Sequence, residues 1–297
     1  MSSYVVQQIV NGLVLGSMYA LVAVGFSMIY SIVRLINFAH GDVVMIGAFT
    51  AVFCLMALGL PLWVTVLATL LAGAAIAAMI EVTVFRPQRG APQVNGFITS
   101  LAVAILIQNI GIMLLSAQPR ALRLPAEWRT GFELAGARVS ALDLGIFAAT
   151  ALSLIGLTLF VRFTRMGIAM RATSENLTAA RLMGIPVNRV IMSAFAVGGA
   201  LAGLAGLLWG GRYGQVDPLM GFIPGLKAFV AAVIGGVGSL TGAVLGGFLL
   251  GLLEVLLVGL LPQEYGAYRD AFVFGLLILV LLVMPSGLMG HNTEERA

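Results

Sequence analysis

An all-α polytopic membrane bundle of eight or nine spans is the architecture that this sequence predicts, on three observations. Sixty per cent of the 297 residues are hydrophobic and only 9% are charged, which separates the chain from soluble enzymes. The apolar residues gather into runs of roughly the twenty that cross a bilayer core. No polar stretch between them is long enough to build a soluble core, so residues 1–297 are read as a single membrane domain.

Six runs are well defined: 10–32, 43–60, 62–85, 97–115, 142–161 and 190–210. The first follows an N-terminus without a basic region and is too long for a signal sequence, so it reads as an uncleaved span. Beyond Pro224 the pattern changes. Residues 225–238 are apolar but short and carry Lys227 near their start, whereas 241–261 and 271–284 read as ordinary spans. The short segment is either a marginal crossing or a broken, re-entrant helix within residues 223–240. Cys54 is the single cysteine, which excludes an internal disulfide, and the count of Cys and His excludes a metal cluster built from them.

Two loops carry local order. In 116–141, alternation over 120–124 and 132–139, split by Gly131 and Gly136, suggests a small β-hairpin or an ordered loop. In 162–189 a short helix of about ten residues, ~15 Å, is punctuated by Ser174 as its cap and Glu175 in its first turn. Arg181 lies in its last turn, and Gly184 and Pro186 stop it. Leu177, Ala180 and Gly184 share one side of it, and Arg171 and Arg181 stay in water. It is either a solvated connector or a docking knob for a cytoplasmic partner.

If that loop is cytoplasmic, Arg34, Arg86, Arg89 and Arg296 join it, giving nine positive residues inside. Arg120, Arg123, Arg129, Arg138, Arg212 and Arg269 make six outside. This bias puts the N-terminus and 116–141 on the extracytoplasmic side and the C-terminus in the cytoplasm. Trp63, Trp128 and Trp209 then fall at the outer interface, as an aromatic belt would. The net charge of +4 is spread over loops rather than gathered into a patch, which argues against nucleic acid.

Three sets of residues are candidates for function. Residues 34–42 break the first two runs with Asn37, His40 and Asp42. They form either a tight connector, capped by Asn37 and turned at Gly41, or a functional polar site. One histidine without a second carboxylate in the same span is a poor proton wire. The glycine run containing Gly235, Gly236, Gly238 and Gly242 is followed by no lysine, so it is not a phosphate-binding loop. It serves either close helix packing or an unwound segment whose backbone near the midplane holds a zwitterion. Asn11, Glu81, Gln108, Asn109, Lys227 and Glu254 interrupt apolar runs and should face the bundle interior or a cavity. Lys227 and Glu254 can neutralise each other if their helices pack, and Glu81 lies within reach of Arg86. As a class they are too sparse for an ion-coupled pump.

Taken together, three stretches resemble one family in order and spacing. They are Ile36-Asn37-Phe38-Ala39-His40-Gly41-Asp42, the loop from Arg171-Ala172 to Leu182-Met183-Gly184-Ile185, and Gly225-Leu226-Lys227-Ala228-Phe229 leading through Ile234-Gly235-Gly236-Val237-Gly238 to Gly242. The family is the permease subunits of bacterial branched-chain amino acid ABC importers, of the H type. Asp42 stands where relatives often carry Glu, which keeps the charge. The resemblance implies an inner-membrane location, a related M-type permease as partner, two cytoplasmic ATPases and a periplasmic binding protein. ATP and magnesium would act on the ATPases, with no cofactor and no catalysis in this chain. It assigns ATPase coupling to Arg171, Ser174, Glu175, Leu177, Ala180, Arg181 and Gly184. The expected substrate pathway is lined by Asn37, His40, Asn109, Lys227, Gly235, Gly236 and Gly238. Substrate would be held weakly, because the binding protein supplies the affinity. The alternatives are a urea or short-chain amide ABC permease, an ion-coupled secondary transporter, and a structural subunit with no pathway.

Overall fold

The first apolar run folds as α1 (Ser2–Val33), a 32-residue helix about 48 Å long that forms the central post of the molecule. The computed structural model describes residues 2–134, 136–260, 268–284 and 287–289. Arg296 and the C-terminal tail lie outside the described residues. After α1 come α2 (His40–Val52, extended by a π-turn through Ala57), α3 (Leu62–Ile80, extended likewise through Phe85) and α4 (Gln93–Leu115). They are followed by α5 (Ala141–Phe163), α6 (Arg165–Glu175), α7 (Leu177–Leu182) and α8 (Val187–Tyr213). The last three are α9 (Phe222–Gly235), α10 (Leu240–Leu260) and α11 (Arg269–Val283). Among the described residues seven helices are long and apolar enough to cross a membrane, and α9 and α11 are shorter apolar helices.

The fold is not purely helical. Antiparallel strands β2 (Gly131–Leu134) and β3 (Ala137–Ser140) form the hairpin that the alternation suggested. A second pair, β1 (Arg120–Ala121) with β4 (Gln215–Val216), ties the same loop to the end of α8. That pairing joins segments almost a hundred residues apart, and two-residue strands carry no readable period. Gln7 on α1 grips Arg138 through both backbone groups, at 2.7 and 3.2 Å, so the hairpin and the N-terminus share one face. Trp63, Trp128 and Trp209 lie toward this N-terminal face, at the start of α3, beside Gly145 of α5 and near the end of α8. On the opposite face Arg34 donates to the Ser174 carbonyl at 3.5 Å.

Two triplets of helices repeat one another in reverse direction. α1 packs chiefly on α10 and α3 on α8, while α2 lies along α8 as α9 lies along α1. α1 begins on the N-terminal face, where Tyr4 Oη donates to the Gly259 carbonyl of α10 at 2.9 Å. α8 begins on the opposite face and ends beside Asp143 at the start of α5. Thus α1–α3 and α8–α10 form an inverted pair, the arrangement from which transport proteins build sites at a repeat interface. α4 and α5 flank this core with mostly exposed apolar surface.

Small residues let these backbones touch. A Cβ at Gly247 would lie 2.6 Å from Ala20 Cα, so α1 and α10 meet at backbone distance, as membrane helices with small-residue stripes do. Gly41 does not make the turn expected of it. The chain reverses instead at Arg34, in the left-handed region at φ 56°, with its N–H on the Tyr30 carbonyl at 2.8 Å. Asn37 caps nothing, because Ala39 precedes α2 without a side-chain bond. Gly41 is needed for contact, since its Cβ would fall 2.9 Å from Gly225 Cα and one on Gly225 would fall 2.6 Å from Gly41 Cα. The starts of α2 and α9 therefore meet inside the bundle. Gly225→Ala is expected to cost about 1–3 kcal/mol through overpacking, read as a lower melting temperature of the purified protein.

Candidate functional site

On the opposite face, residues 162–189 fold as two helices rather than one. Thr164 Oγ1 accepts from Gly167 N at 3.0 Å and starts α6 ten residues earlier than the expected cap. Ser174 lies in the last turn of α6, bonded to the Arg171 carbonyl at 2.8 Å, and Glu175 ends that helix. The cap of the shorter helix is Asn176, whose Oδ1 accepts from Ala179 N at 2.9 Å. Ser174 has capping chemistry too, but it lies inside the Arg165–Glu175 helix, so the cap expected at Ser174 falls to Asn176. Gly184 stops α7 as expected, with φ 78°. Ala180 is buried and Leu177 half-buried beneath α7, whereas Leu182 and Met183 are 84% and 81% exposed at its tip. Arg171 and Arg181 are exposed, and Arg171 donates to the Arg162 carbonyl at 3.3 Å.

Beside this face Glu81, fully buried, pairs with Arg86 at 2.8 Å and with Arg89, and Arg89 also donates to Asn188 at the start of α8. The reach of Arg86 to Glu81 was legible in the sequence; the Arg89 bridge to α8 was not. Burial lowers the Arg89 pKa, opposed by Glu81, whose carboxylate favours the charged guanidinium.

Inside the bundle the polar residues fall into two groups. Asp42 on α2 accepts from Gln108 of α4 at 3.0 Å. Asn37 is buried nearby, and His40, 2% exposed, packs against Gly25 with Phe26 edge-on at 6.4 Å. The Asn37 side-chain oxygen meets no hydrogen-bond partner among the described residues. The second group is an ionic knot. Lys227, 1% exposed, lies 2.8 Å from Glu254 of α10 and 2.8 Å from Asp270 of α11, with its Nζ 5.9 Å from the Tyr19 ring centroid. Tyr19 Oη donates to the other Glu254 oxygen at 2.8 Å. The Lys227–Glu254 pair is the one the sequence suggested; Asp270 and Tyr19 join it through tertiary packing.

Two expectations for the pathway change. The turn of Gly235, Gly236 and Gly238 is not near the middle of the bundle, because α9 stays helical through Gly235. Gly238 instead sits beside Tyr30 and Ser31 at the end of α1. The Ile234 and Gly235 carbonyls accept from Leu288 N and Met289 N at 2.8 and 2.9 Å, so the chain's own backbone occupies them. Asn109 does not face the interior. It is exposed on α4 and donates to the Ile105 carbonyl of its own helix at 2.8 Å, while Gln108, one residue earlier, points inward. Adjacent residues on a helix lie about 100° apart, so a one-residue error in helical phase is enough to exchange an inward for an outward position.

An inverted pair of helix triplets, polar groups held at its centre and an exposed apolar tip on one face define a membrane-embedded transport subunit. Among the described residues no three metal-binding side chains converge. A profile described as branched-chain amino acid transport system / permease component matches residues 8–281. The chain belongs to that family, and it is a transport component, not a catalyst. It is 40% identical to the high-affinity branched-chain amino acid transport system permease protein LivH of Escherichia coli, covering 99% of this chain and 98% of that one. It is likewise 40% identical to the corresponding permease protein BraD of Pseudomonas aeruginosa, over 98% and 97% of the two chains. Among solved structures it is similar to PsaBC from Streptococcus pneumoniae in complex with Fab, with a TM-score of 0.52 and 16% identity. That match covers 93% of this chain and 91% of that one, a likeness of fold alone.

Proposed function

We propose that this chain is the H-type permease of an ATP-driven importer of leucine, isoleucine and valine, working with an M-type permease, two cytoplasmic ATPases and a periplasmic binding protein. The observation that carries this reading is 40% identity along almost the whole length of two permeases named for high-affinity branched-chain amino acid transport. ATP and magnesium then act on the partner ATPases, and the chain lies in the inner membrane. Its N-terminal face is extracytoplasmic, and the face of α6 and α7 is cytoplasmic. The crossings number nine, with the non-helical residues 214–221 and the 14-residue α9 together making one. Leu182 and Met183 are the apolar tip that an ATPase would take up, with Leu177, Ala180 and Gly184 anchoring it and Arg171, Ser174, Glu175 and Arg181 around it. Closure of the ATPases on ATP moves α6 and α7, and α5 and α8 carry that movement into the bundle. Asn37, His40 and Lys227, each buried, are the inner polar groups of the pathway.

Reconstitution of the complete complex in liposomes tests this. Uptake of L-leucine is expected only with internal ATP and external binding protein, and unchanged when proton and sodium gradients are collapsed. Preferential uptake of urea or an amide, or gradient-driven uptake by this chain alone, would overturn the reading.

A further inference from the structure

The N-terminal face holds a cleft of about 320 Å³ between α1, α8 and α10, lined among others by Asn11, Leu15, Arg212, Glu254, Val255 and Val258. Its volume is at the lower end for small-ligand pockets. Its chemistry is unusual for a membrane helix bundle, because a guanidinium and a carboxylate from different helices line it together with aliphatic side chains. Glu254 is 2% exposed, and a charge buried in a membrane bundle is expensive and is kept where it holds something.

Both charges are braced from outside the cleft. Arg212 Nη1 lies 3.2 Å from Asp143, which is itself fixed by Ser140 through the capping box of α5. Glu254 is held by Tyr19 Oη and Lys227 Nζ, each at 2.8 Å. A guanidinium has five N–H donors in a rigid fork, so Arg212 can serve Asp143 and a second carboxylate together. A carboxylate has about four acceptor sites, so Glu254 can accept a donor from the cleft in addition to those that brace it. Fixed charges of both signs in a cleft also lined by Leu15, Val255 and Val258 are complementary to one chemical class, a zwitterion with a short aliphatic side chain.

We infer that this cleft is a receiving site for a free aliphatic α-amino acid. The α-carboxylate pairs with Arg212, the α-ammonium turns to Glu254 and the Asn11 amide, and the side chain packs on Leu15, Val255 and Val258. This rests on the transport reading above and adds to it a place on the delivery face where cargo is held before it enters the bundle. A neutral urea or amide would use neither charge.

The test uses the complete permease–ATPase complex in nanodiscs without binding protein, with L-leucine observed by saturation-transfer NMR. A saturable signal is expected that Arg212→Gln and Val258→Phe each reduce about two-fold or more, the remainder belonging to the partner permease. Val258→Phe fills the cleft without touching either ion pair, so it speaks even if Arg212→Gln fails to fold. Leucinamide, without the carboxylate, and 4-methylpentanoate, without the ammonium, are expected to bind more weakly than L-leucine. Equal binding by either analogue, or no change in Val258→Phe, would overturn the inference. So would loss of the leucine signal in phosphatidylethanolamine that returns in phosphatidylcholine, since the cleft would then hold a lipid headgroup. ATP-driven leucine uptake by the same wild-type complex, reconstituted in liposomes with its binding protein, is measured alongside. Uptake with an insensitive binding signal sinks this site alone, whereas absence of uptake sinks the reading beneath it.

Discussion

Lys227→Met is expected to be among the most damaging single substitutions in this chain, costing about 3–5 kcal/mol and abolishing uptake. The side chain is 1% exposed and sits between two carboxylates on different helices, so its loss leaves Glu254 buried without its cation. The attraction within the pair only offsets what burial of both ions costs, and removing one partner exposes the whole penalty of the other. The consequence is also geometric. α9 has only 14 residues, and Lys227 is the ionic link from that helix to α10 and α11 among the described residues. Lys227→Met together with Glu254→Gln removes both charges and is expected to recover most of the stability while leaving α9 less firmly held. Thermal melting of the purified complex reads the first effect, and leucine uptake reads the second. If the single variant melts like the wild type, the knot is not what holds α9.

That knot also shows how far the residues alone could be read. Lys227 and Glu254 each interrupt an apolar run, and the cost of an unpaired charge in a membrane suggested that they meet. Asp270 gave no such signal, because it lies at the start of a helix, where an acidic residue is ordinary. The same limit governs the cleft. Arg212 ends α8 in a position that looks like simple orientation bias, and Asp143 looks like a capping-box residue, which it also is. Their pairing depends on how α5 meets α8 in space.

Helical runs were legible because hydropathy at span length is a strong signal, and Gly184 was legible because a left-handed stop favours glycine. Gly41 misled because a glycine in a polar stretch reads as a turn. Its actual constraint, contact with Gly221 and Gly225, involves residues 180 positions away. The inverted pairing of α1–α3 with α8–α10 was hidden for a similar reason. Packing conserves the helix order and the small contact positions without requiring recognisable sequence similarity between the halves.

The other large effect is expected on the opposite face. Leu182→Asp combined with Met183→Asp should lower ATP-driven uptake by ~10-fold or more while leaving the melting temperature of the chain near that of the wild type. These two side chains contact little within the chain, so replacing them removes almost no internal packing. Their exposure at the end of a six-residue helix nonetheless makes an apolar tip, and such a tip is what a partner's groove would desolvate. Placing carboxylates there leaves unpaired charges at the contact, a penalty that falls on the complex and spares the isolated chain. Ala180→Leu should behave in the opposite way. Ala180 is buried beneath α7, so the larger side chain would push α7 off its seat and lower the melting temperature as well as uptake. Comparing the two separates contact from support, with co-purification of the ATPases as the direct readout. Retained ATPase and full uptake in the Asp variant would mean that force enters the bundle elsewhere, the Arg89 bridge from the α3–α4 loop to α8 being the next candidate on that face.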